Sequence, residues 1–448
     1  AVRVMVVTKA AGARPATTSG RRSDMTDVLD TLDESADATP AAPPGQGSSR
    51  RAWILLVVIS FLNGMGMTIV FPVLPFVVLK YIPSEAALAL WVGIIEAVFA
   101  LCSFLVAPLL GAISDRYGRR PIIIYSVLGA AVGYVLFGIG GALWVLVLAR
   151  VVQGLAAGDM PALFGYVADI TEPKDRAKRF GFLGALTGVS FMVGPALGGL
   201  LAKASLSLPL FATAGVAVLV ALISLTALPE SLAPENRTPR LVLADLHPFK
   251  VIKDVLSRPS LRPLLLGLAL ITIPFMFFAN NLSVVALDTV HWGPTQIGLL
   301  LTVNGAIDIA VQGGLLAILL PRIGERGVVI AGIVGQGVGC LGLAVCATFL
   351  PWPALLAGAA LVFAAGQGGM AAALDGLMST SVGADEQGWL AGGISSLNSG
   401  IQMVAPLLAG WVYTVLGHGS PYWAGLLMIV LAAVLLSRAT MPNAARQS

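Results

Sequence analysis

Twelve long apolar runs dominate the 448-residue sequence, and each is long enough to cross a lipid bilayer as a helix. A transmembrane helix needs about 20 apolar residues, whereas a barrel strand needs roughly 10 alternating ones, so continuous runs of this length exclude strands. Backbone groups inside lipid must also find partners within the segment, which again selects helices. The runs are 52–79, 87–111, 121–140, 143–168, 180–202, 207–228, 262–287, 295–319, 327–348, 352–378, 388–414 and 421–438.

The composition excludes a water-soluble globule, because 57% of the residues are hydrophobic and only 11% are charged. An ordinary soluble domain carries about 25% charged residues. The sequence contains no phosphate-binding loop, no H-E-x-x-H and no G-x-S-x-G, and its three cysteines lack the spacing of metal ligands. The three histidines, His247, His291 and His418, map to loops and are not expected to cluster. We therefore expect no enzymatic activity, no cofactor, no metal and no nucleic-acid partner.

Lysine and arginine are distributed unevenly over the loops, with 19 on one side of the membrane and two on the other. Because basic residues accumulate in cytoplasmic loops, this bias predicts that both termini are cytoplasmic. The longest polar connection falls after the sixth run and divides the runs six and six. The predicted organisation is a disordered cytoplasmic tail (1–51), a six-helix bundle (52–228), a cytoplasmic central loop (229–261), a second six-helix bundle (262–438) and a short tail (439–448).

The two halves contain related segments, which indicates an internal repeat. The loop GAISDRYGRRP matches LAILLPRIGERG at a shift of 206 residues, although Asp115 aligns with Pro321. In the fifth and eleventh runs, GPALGGLLA matches APLLAGWVY at a shift of 211. The matched pairs are Arg116 with Arg322, Gly118 with Gly324, Arg120 with Arg326, Pro195 with Pro406 and Gly199 with Gly410.

Three motifs resemble those of the major facilitator superfamily. The loop fits G-x-x-x-D-R-x-G-R-R, RVVQG resembles the fourth-span motif, and GPALGG resembles the fifth-span motif typical of antiporters. The runs GYVADITEPKDRAKRFGFLGA and GMTIVFPVLP resemble the tetracycline-efflux type of drug:proton antiporter. The motif residues are Gly111, Asp115, Arg116, Gly118, Arg119 and Arg120 in the loop, Arg150, Gln153 and Gly154 in the fourth span, and Gly194, Pro195, Gly198 and Gly199 in the fifth.

This resemblance implies an all-α membrane protein with twelve helices in two pseudo-symmetric bundles. It also implies a gating role for the loop motif and a role for Arg150 in proton coupling or cavity charge. A static anchor for the loop and a structural role for Arg150 remain alternatives. The sequence departs from the tetracycline-efflux type at Asn63, where that type has an acid. Tetracycline itself is therefore a doubtful substrate, and the coupling acid is expected elsewhere.

Four acids lie inside the runs, where an ionised side chain is costly and usually functional. A carboxyl group surrounded by hydrocarbon holds a proton more readily than it does in water. Asp308 is the first candidate, because Asn304, Asp308 and Gln312 are spaced by four and form one polar stripe. Asp159 is nine positions from Arg150, about 180° around an ideal helix, so we expect no direct pair. The predicted proton or substrate positions are Glu96, Asp159, Asp308, Asp375, Arg150, Asn63, Asn304 and Gln312.

These features predict a secondary transporter that exports small apolar or amphipathic compounds in exchange for protons, by alternating access. Uptake or uniport of a metabolite, such as a sugar or an organic anion, is the second hypothesis. A membrane sensor without transport is the third. We expect small-molecule substrates, protons and the lipid of a plasma (inner) membrane as the partners, and a monomeric chain.

Overall fold

The computed structural model describes residues 46–82, 84–238, 261–379, 382–383 and 387–438, and in these ranges all regular structure is helical. Most of the predicted N-terminal tail, much of the central loop and the C-terminal tail lie outside the described residues. Spans are numbered in chain order. They are Gln46–Ile69 with the short helix Leu74–Leu79, Leu88–Tyr117, Arg119–Ile139, Leu143–Leu155 with Asp159–Asp169, Pro173–Leu201, Leu208–Thr226, Arg262–Val290, Pro294–Ala310, Leu316–Thr348, Pro353–Ser379, Gln387–Leu416 and Ser420–Arg438.

Within the described chain, eleven helical segments are long and apolar enough to cross a membrane, and the segment Pro294–Thr348 contains two spans. A π-helical turn, Val311–Leu315, and the non-helical backbone of Gly324 divide this 55-residue segment. The prediction of twelve spans is therefore confirmed. The chain is an integral, multi-pass membrane protein.

The loop repeat is visible in the backbone. Gly118 separates the second and third spans with φ 113°, and Gly324 has φ 69° at the matching position between the eighth and ninth spans. Residues with a Cβ rarely adopt positive φ, which explains why glycine occupies both positions. The face of the molecule that carries Gly118 and Gly324 is called the basic face below, and the opposite one the far face.

The fourth span is broken, which corrects the prediction of one continuous run over 143–168. Its first helix ends at Leu155 and its second begins at Asp159. Pro161 has no N–H to bond the carbonyl of Ala157, so the α-helical ladder cannot continue across this point. The N–H of Gly158 donates to the Ala156 carbonyl at 2.8 Å and to the hydroxyl oxygen of Ser126 on the third span at 3.2 Å. Asp159 consequently starts a helix deep inside the protein.

The first span also differs from its prediction, which placed residues 1–51 in the tail. The helix begins at Gln46, because exposed Arg50 and Arg51 extend it beyond the apolar run. It ends at Ile69, and Pro72 lies in the turn before the short helix Leu74–Leu79, whose first turn contains Pro75. The predicted run 52–79 thus contains two helices.

The two halves meet along two equivalent helix pairs on the far side of the membrane. The fifth span packs against the eighth, and the eleventh packs against the second. A Cβ on Gly298 would lie 2.5 Å from the Pro195 carbonyl oxygen, and a Cβ on Gly93 would collide with the Pro406 carbonyl oxygen. Gly93 and Gly298 are 205 residues apart, close to the repeat shift. Both contacts therefore use a proline carbonyl against a glycine, so the helix backbones approach closely.

Candidate functional site

A cavity of about 90 Å³ inside the first half gathers three of the predicted charged residues. Its lining includes Glu96 of the second span, Arg150 and Asp159 of the broken fourth span, and Asn63 of the first. These side chains come from three different spans. The remaining lining is largely apolar, with Tyr134 and Phe99 among its aromatic side chains.

Arg150 forms an ion pair with Glu96, and its Nη2 lies 2.5 Å from Glu96 Oε1. The Arg150 side chain is 8% exposed and that of Glu96 is 22% exposed. Nη1 of Arg150 also donates to Gln153 Oε1 at 3.1 Å, and the guanidinium lies over the rings of Phe99 and Phe137. A buried charge that lost its partner would be strongly destabilising. Glu96 and Arg150 therefore act as one unit.

Asp159 is held by Asn63 rather than by a cation. The amide of Asn63 donates to Asp159 Oδ2, across 96 residues of sequence. The expectation that Asp159 and Arg150 do not pair agrees with this arrangement. Asn63 stands where the resemblance leads us to expect an acid, and here the carboxylate lies on the fourth span, against Asn63.

A second, larger cleft of about 330 Å³ lies between the two halves, on the basic side of the contact between the second and eleventh spans. Ser395, Ser399 and Gln402 line it from one face of the eleventh span, at the i, i+4, i+7 spacing of a helix. Phe99 and Ser103 line it from the second span. Since Phe99 lines both spaces, the charged cavity and this cleft are neighbours.

Asp308, the first choice from sequence, lines neither of these two spaces. Its Oδ1 accepts the Gln312 amide at 2.8 Å and points at Gly368 of the tenth span. Gln312 belongs to the π-helical turn, so the predicted stripe is partly distorted, although Asp308 and Gln312 still meet. Asn304 is buried, with neither amide atom hydrogen-bonded to protein. Asp375 lies exposed near the end of the tenth span.

The loop motif forms a charged cluster on the basic face. Arg119 pairs with Asp115 four residues earlier, and its Nε lies 3.2 Å from Asp169 at the end of the broken fourth span. Arg120 donates from Nε to the Ser224 carbonyl at 2.9 Å, at the end of the sixth span. Four spans of the first half, the second, third, fourth and sixth, are therefore joined at this point.

Arg116 and Gly111 of the motif take other positions. The Arg116 guanidinium lies over the neighbouring Tyr117 ring, 5.2 Å from its centroid. Gly111 lines the cleft between the halves. The six motif residues therefore do not act as one set of contacts.

Glu230, which the sequence analysis did not select, completes the cluster. Its carboxylate accepts the backbone N–H groups of Arg119 at 2.8 Å and Arg120 at 3.2 Å. It thus caps the start of the third span, where free N–H groups favour an anion. Thr238 donates its N–H to the Asp115 carbonyl at 3.0 Å. Two residues of the segment after the sixth span, Glu230 and Thr238, are therefore hydrogen-bonded to the loop motif, and no sequence signal beyond an acid after that span indicates this.

The degenerate second copy of the loop has fewer contacts in the described residues. Pro321 replaces the acid, and Arg326 donates only a long bond of 3.5 Å to the Ser437 carbonyl. Glu325 lies close to Gly376 of the tenth span. The backbone turn is repeated in the second half, but the charged cluster is not.

The fifth-span motif packs on two neighbours. A Cβ on Gly194 would collide with Thr68, and one on Gly198 would collide with the Ile69 carbonyl, both on the first span. Pro195 and Gly199 face the eighth span. Gln153 and Gly154 of the fourth-span motif are likewise buried, and Gly154 meets Cys102 of the second span. These motif residues bring helices together around the charged cavity.

Comparison with known proteins identifies the class of this fold. A family model described as the Major Facilitator Superfamily matches residues 56–307 and 267–448. The chain belongs to this superfamily, and the resemblance read from its motifs is confirmed.

Particular relatives are resistance proteins. The chain is 32% identical to the tetracycline resistance protein, class C, of Escherichia coli, over 87% of this chain and 95% of the relative. It is 27% identical to multidrug resistance protein 2 of Bacillus subtilis (strain 168), over 84% of this chain and 92% of the relative.

Solved structures confirm the fold. The human organic anion transporter MFSD10 matches with a TM-score of 0.63 and 22% identity, over 88% of this chain and 100% of that one. The xylose transporter XylE from E. coli, in a partially occluded inward open conformation, matches with a TM-score of 0.65 and 16% identity, over 90% of this chain and 100% of that one. At these identities the likeness concerns the fold alone.

Proposed function

We propose that this protein is a proton-coupled exporter of small amphipathic compounds that works by alternating access. The observation that carries the proposal is the cavity in which Asp159, Glu96 and Arg150 meet beside the cleft between the halves. Relatives named for tetracycline and multidrug resistance, matched over most of their length, support export rather than uptake. The basic face is the cytoplasmic one in this proposal, because basic loops remain inside.

Asp159 is the proton carrier in this proposal, in place of Asp308. Glu96 is already neutralised by Arg150 at 2.5 Å, whereas Asp159 is hydrogen-bonded to an amide and forms no ion pair with a cation in the described part of the chain. A carboxylate without a cation gains more from taking a proton in surroundings of low polarity. Asn63 satisfies the group in either state, because an amide can donate to the carboxylate or accept from the carboxylic acid.

The arrangement of the halves supports an inward-facing state. The halves touch near the far face through Gly93 with Pro406 and through Pro195 with Gly298. The cleft lined by Ser399 lies on the basic side of the first of these contacts. In this state substrate enters from the cytoplasm, and a rocking motion of the halves then opens the far side.

The cleft supports a substrate with both apolar surface and hydrogen-bonding groups. Phe99 and Phe104 supply apolar contact, and Ser395, Ser399 and Gln402 supply hydroxyl and amide groups. Substrate and proton occupy adjacent spaces, with Phe99 in the lining of both. Coupling follows if the occupancy of one space changes the free energy of the other.

Purified protein in sealed vesicles tests the proposal. An imposed pH gradient should drive fluorescent amphipathic drugs against their concentration gradient, in the direction that leads from the basic face to the far face. Movement of sugars or organic anions in the opposite direction would favour the uptake hypothesis. Absence of any flux for both groups of compounds would favour a protein that does not transport.

A further inference from the structure

Three side chains from separate parts of the second half meet on the far face. Tyr413 of the eleventh span donates its hydroxyl to Asp288 Oδ2 of the seventh span at 2.8 Å. The His418 ring stacks on the Tyr413 ring, with centroids 4.7 Å apart and planes 5° apart. Tyr413 is 2% exposed, whereas His418 is exposed. A group that water can reach is thus linked through a buried tyrosine to a half-buried carboxylate.

Two further charged side chains act on the same carboxylate. His291 ends the seventh span three residues after Asp288, in a left-handed conformation with φ 54°. Glu85 lies just before the second span, and Asp288 is within electrostatic range of Glu85, His291 and His418. The sequence predicts that the histidines do not cluster; in the fold, His291 and His418 come from two distant loops and both lie within electrostatic range of Asp288.

The cluster adjoins the contact that closes the far side. Gly410, three residues before Tyr413, packs against the backbone of Ala89, and Ala89 follows Glu85 by four residues. Glu85 belongs to the first half, and Asp288 belongs to the second. The carboxylates of Glu85 and Asp288, which carry like charge when ionised, thus lie within electrostatic range of each other across the halves. Their repulsion favours separation unless a cation lies nearby.

We propose that His418, together with His291, is a proton-binding site that stabilises the closed far side. This inference rests on the proposed alternating access. A proton from the far solution adds to the imidazole ring of His418 and gives an imidazolium cation. The cation is attracted to the face of the Tyr413 ring and to both carboxylates, so it reduces the repulsion between Glu85 and Asp288.

The chemistry favours protons over a metal ion as the ligand. In the described part of the chain, no group of three His, Cys, Asp or Glu side chains could hold a metal ion. Histidine is the side chain whose charge ordinarily changes between about pH 5 and 8. The other titratable side chain near Tyr413 is Tyr422, a phenol that stays neutral in that range.

The direction of the effect follows from the charges. At low pH on the far side the imidazolium forms, and the closed arrangement gains stability. As the pH rises through the histidine range, the cation is lost and the carboxylates repel without compensation. Proton arrival on the far side therefore favours closure, which is the step that follows substrate release in an exchanger.

Distance measurements between spin labels on the two halves test this site. Lys80→Cys in the first half and Phe349→Cys in the second, in a background without the native cysteines, place both labels on the far face. The ratio of closed to open populations should be about two- to fivefold higher near pH 5 than near pH 8, which is within the range that an exposed charge pair between His418 and Glu85 across the halves supports.

Substitutions at the exposed His418 separate titration from packing. His418→Phe, combined with His291→Gln, keeps a ring against Tyr413 and should show the population ratio of high pH at every pH. His418→Arg, again combined with His291→Gln, should show a high ratio that does not change with pH, because its cation is permanent. The proposed proton-binding site would be contradicted if the population ratio of the wild-type protein did not change with pH. It would also be contradicted if the His418→Phe, His291→Gln double variant kept that change.

The measurement needs no substrate, so its failure is distinct from failure of the proposed function. Drug export with no pH-dependent change in distance would overturn the far-face site alone. A pH-dependent distance in a protein that exports nothing would overturn the proposed function and retain the proton-binding site.

Discussion

The two halves of this protein share a backbone plan but differ in where they place charge. Their far-side contacts are equivalent, with Pro195 against Gly298 in one and Pro406 against Gly93 in the other. Only the first half brings Glu96, Arg150 and Asp159 to one internal cavity. This difference shows that the contact between the halves and the internal charged site do not have to be duplicated together. The contact is duplicated in both halves, whereas the internal charge cluster is found in one.

The largest effect is expected at Asp159, and it tests the difference between the halves directly. Asp159→Asn should reduce pH-driven export by at least about tenfold, because the amide cannot take up the proton. Asp308→Asn should leave most of the activity, since Asp308 bonds Gln312 outside the cavity. The measurement is drug flux in vesicles at a fixed pH gradient, with membrane insertion checked for each variant. Loss of activity in Asp308→Asn with retention in Asp159→Asn would reverse the assignment.

Breaking the ion pair of the first half should reduce stability more than any single change at the surface. Arg150→Gln leaves Glu96 unpaired inside the protein, which costs about 3 to 5 kcal/mol. The double variant Arg150→Gln with Glu96→Gln should recover much of that loss, because no isolated charge remains. Thermal unfolding in detergent measures both. Equal destabilisation in the single and double variants would show that the pair is not one unit.

Substitutions at the duplicated contact should give matched effects in the two halves. Gly93→Val and Gly298→Val each force a side chain against a proline carbonyl, which costs about 1 to 3 kcal/mol through overpacking. Both should also shift the distance distribution on the far face towards the open state. Gly358→Val on the tenth span is the control, because no atom outside its own helix lies within 4 Å of an added Cβ. A large effect at only one of the two contact glycines would contradict their equivalence.

The smallest effect is expected on the basic face, where only the first loop carries a full charged cluster. Glu230→Gln weakens the cap on the third span and should cost about 1 kcal/mol, a typical value for a helix cap. Glu325→Gln in the degenerate second loop should change the free energy of unfolding little. Thermal unfolding in parallel compares them. A larger loss at Glu325 than at Glu230 would contradict the unequal roles of the two loops.

The sequence predicts the spans well, because hydrocarbon thickness and helical rise fix their length without reference to neighbours. The sequence also predicts the internal repeat, and the structure agrees with it. Gly118 and Gly324 both have positive φ, and the carbonyls of Pro195 and Pro406 each contact a glycine. The sequence does not predict the full break at residues 156–158. Pro161 predicts a bend, but Ser126, which accepts a hydrogen bond from Gly158 at the break, lies on another helix.

The pairs inside the site were also beyond sequence reasoning. Asn63 with Asp159 and Glu96 with Arg150 join residues 96 and 54 positions apart. A helical period shows which residues share a face, but it does not show the rotation and height at which two helices meet. The sequence favours Asp308 as the proton site because its polar neighbours lie on its own helix, where the helical period shows which residues share a face. The partners of Asp159 and Glu96 lie on other helices.

The break in the fourth span makes its second segment a separate, rigid helix that links the cavity to the basic face. Eleven unbroken helical residues join Asp159 in the cavity to Asp169 beside Arg119 on the basic face. At a rise of about 1.5 Å per residue, this helix is about 15 Å long from Asp159 to Asp169. Because three non-helical residues separate this helix from the segment that holds Arg150, a displacement of Asp169 can move the Asp159 carboxylate without moving the Glu96–Arg150 pair.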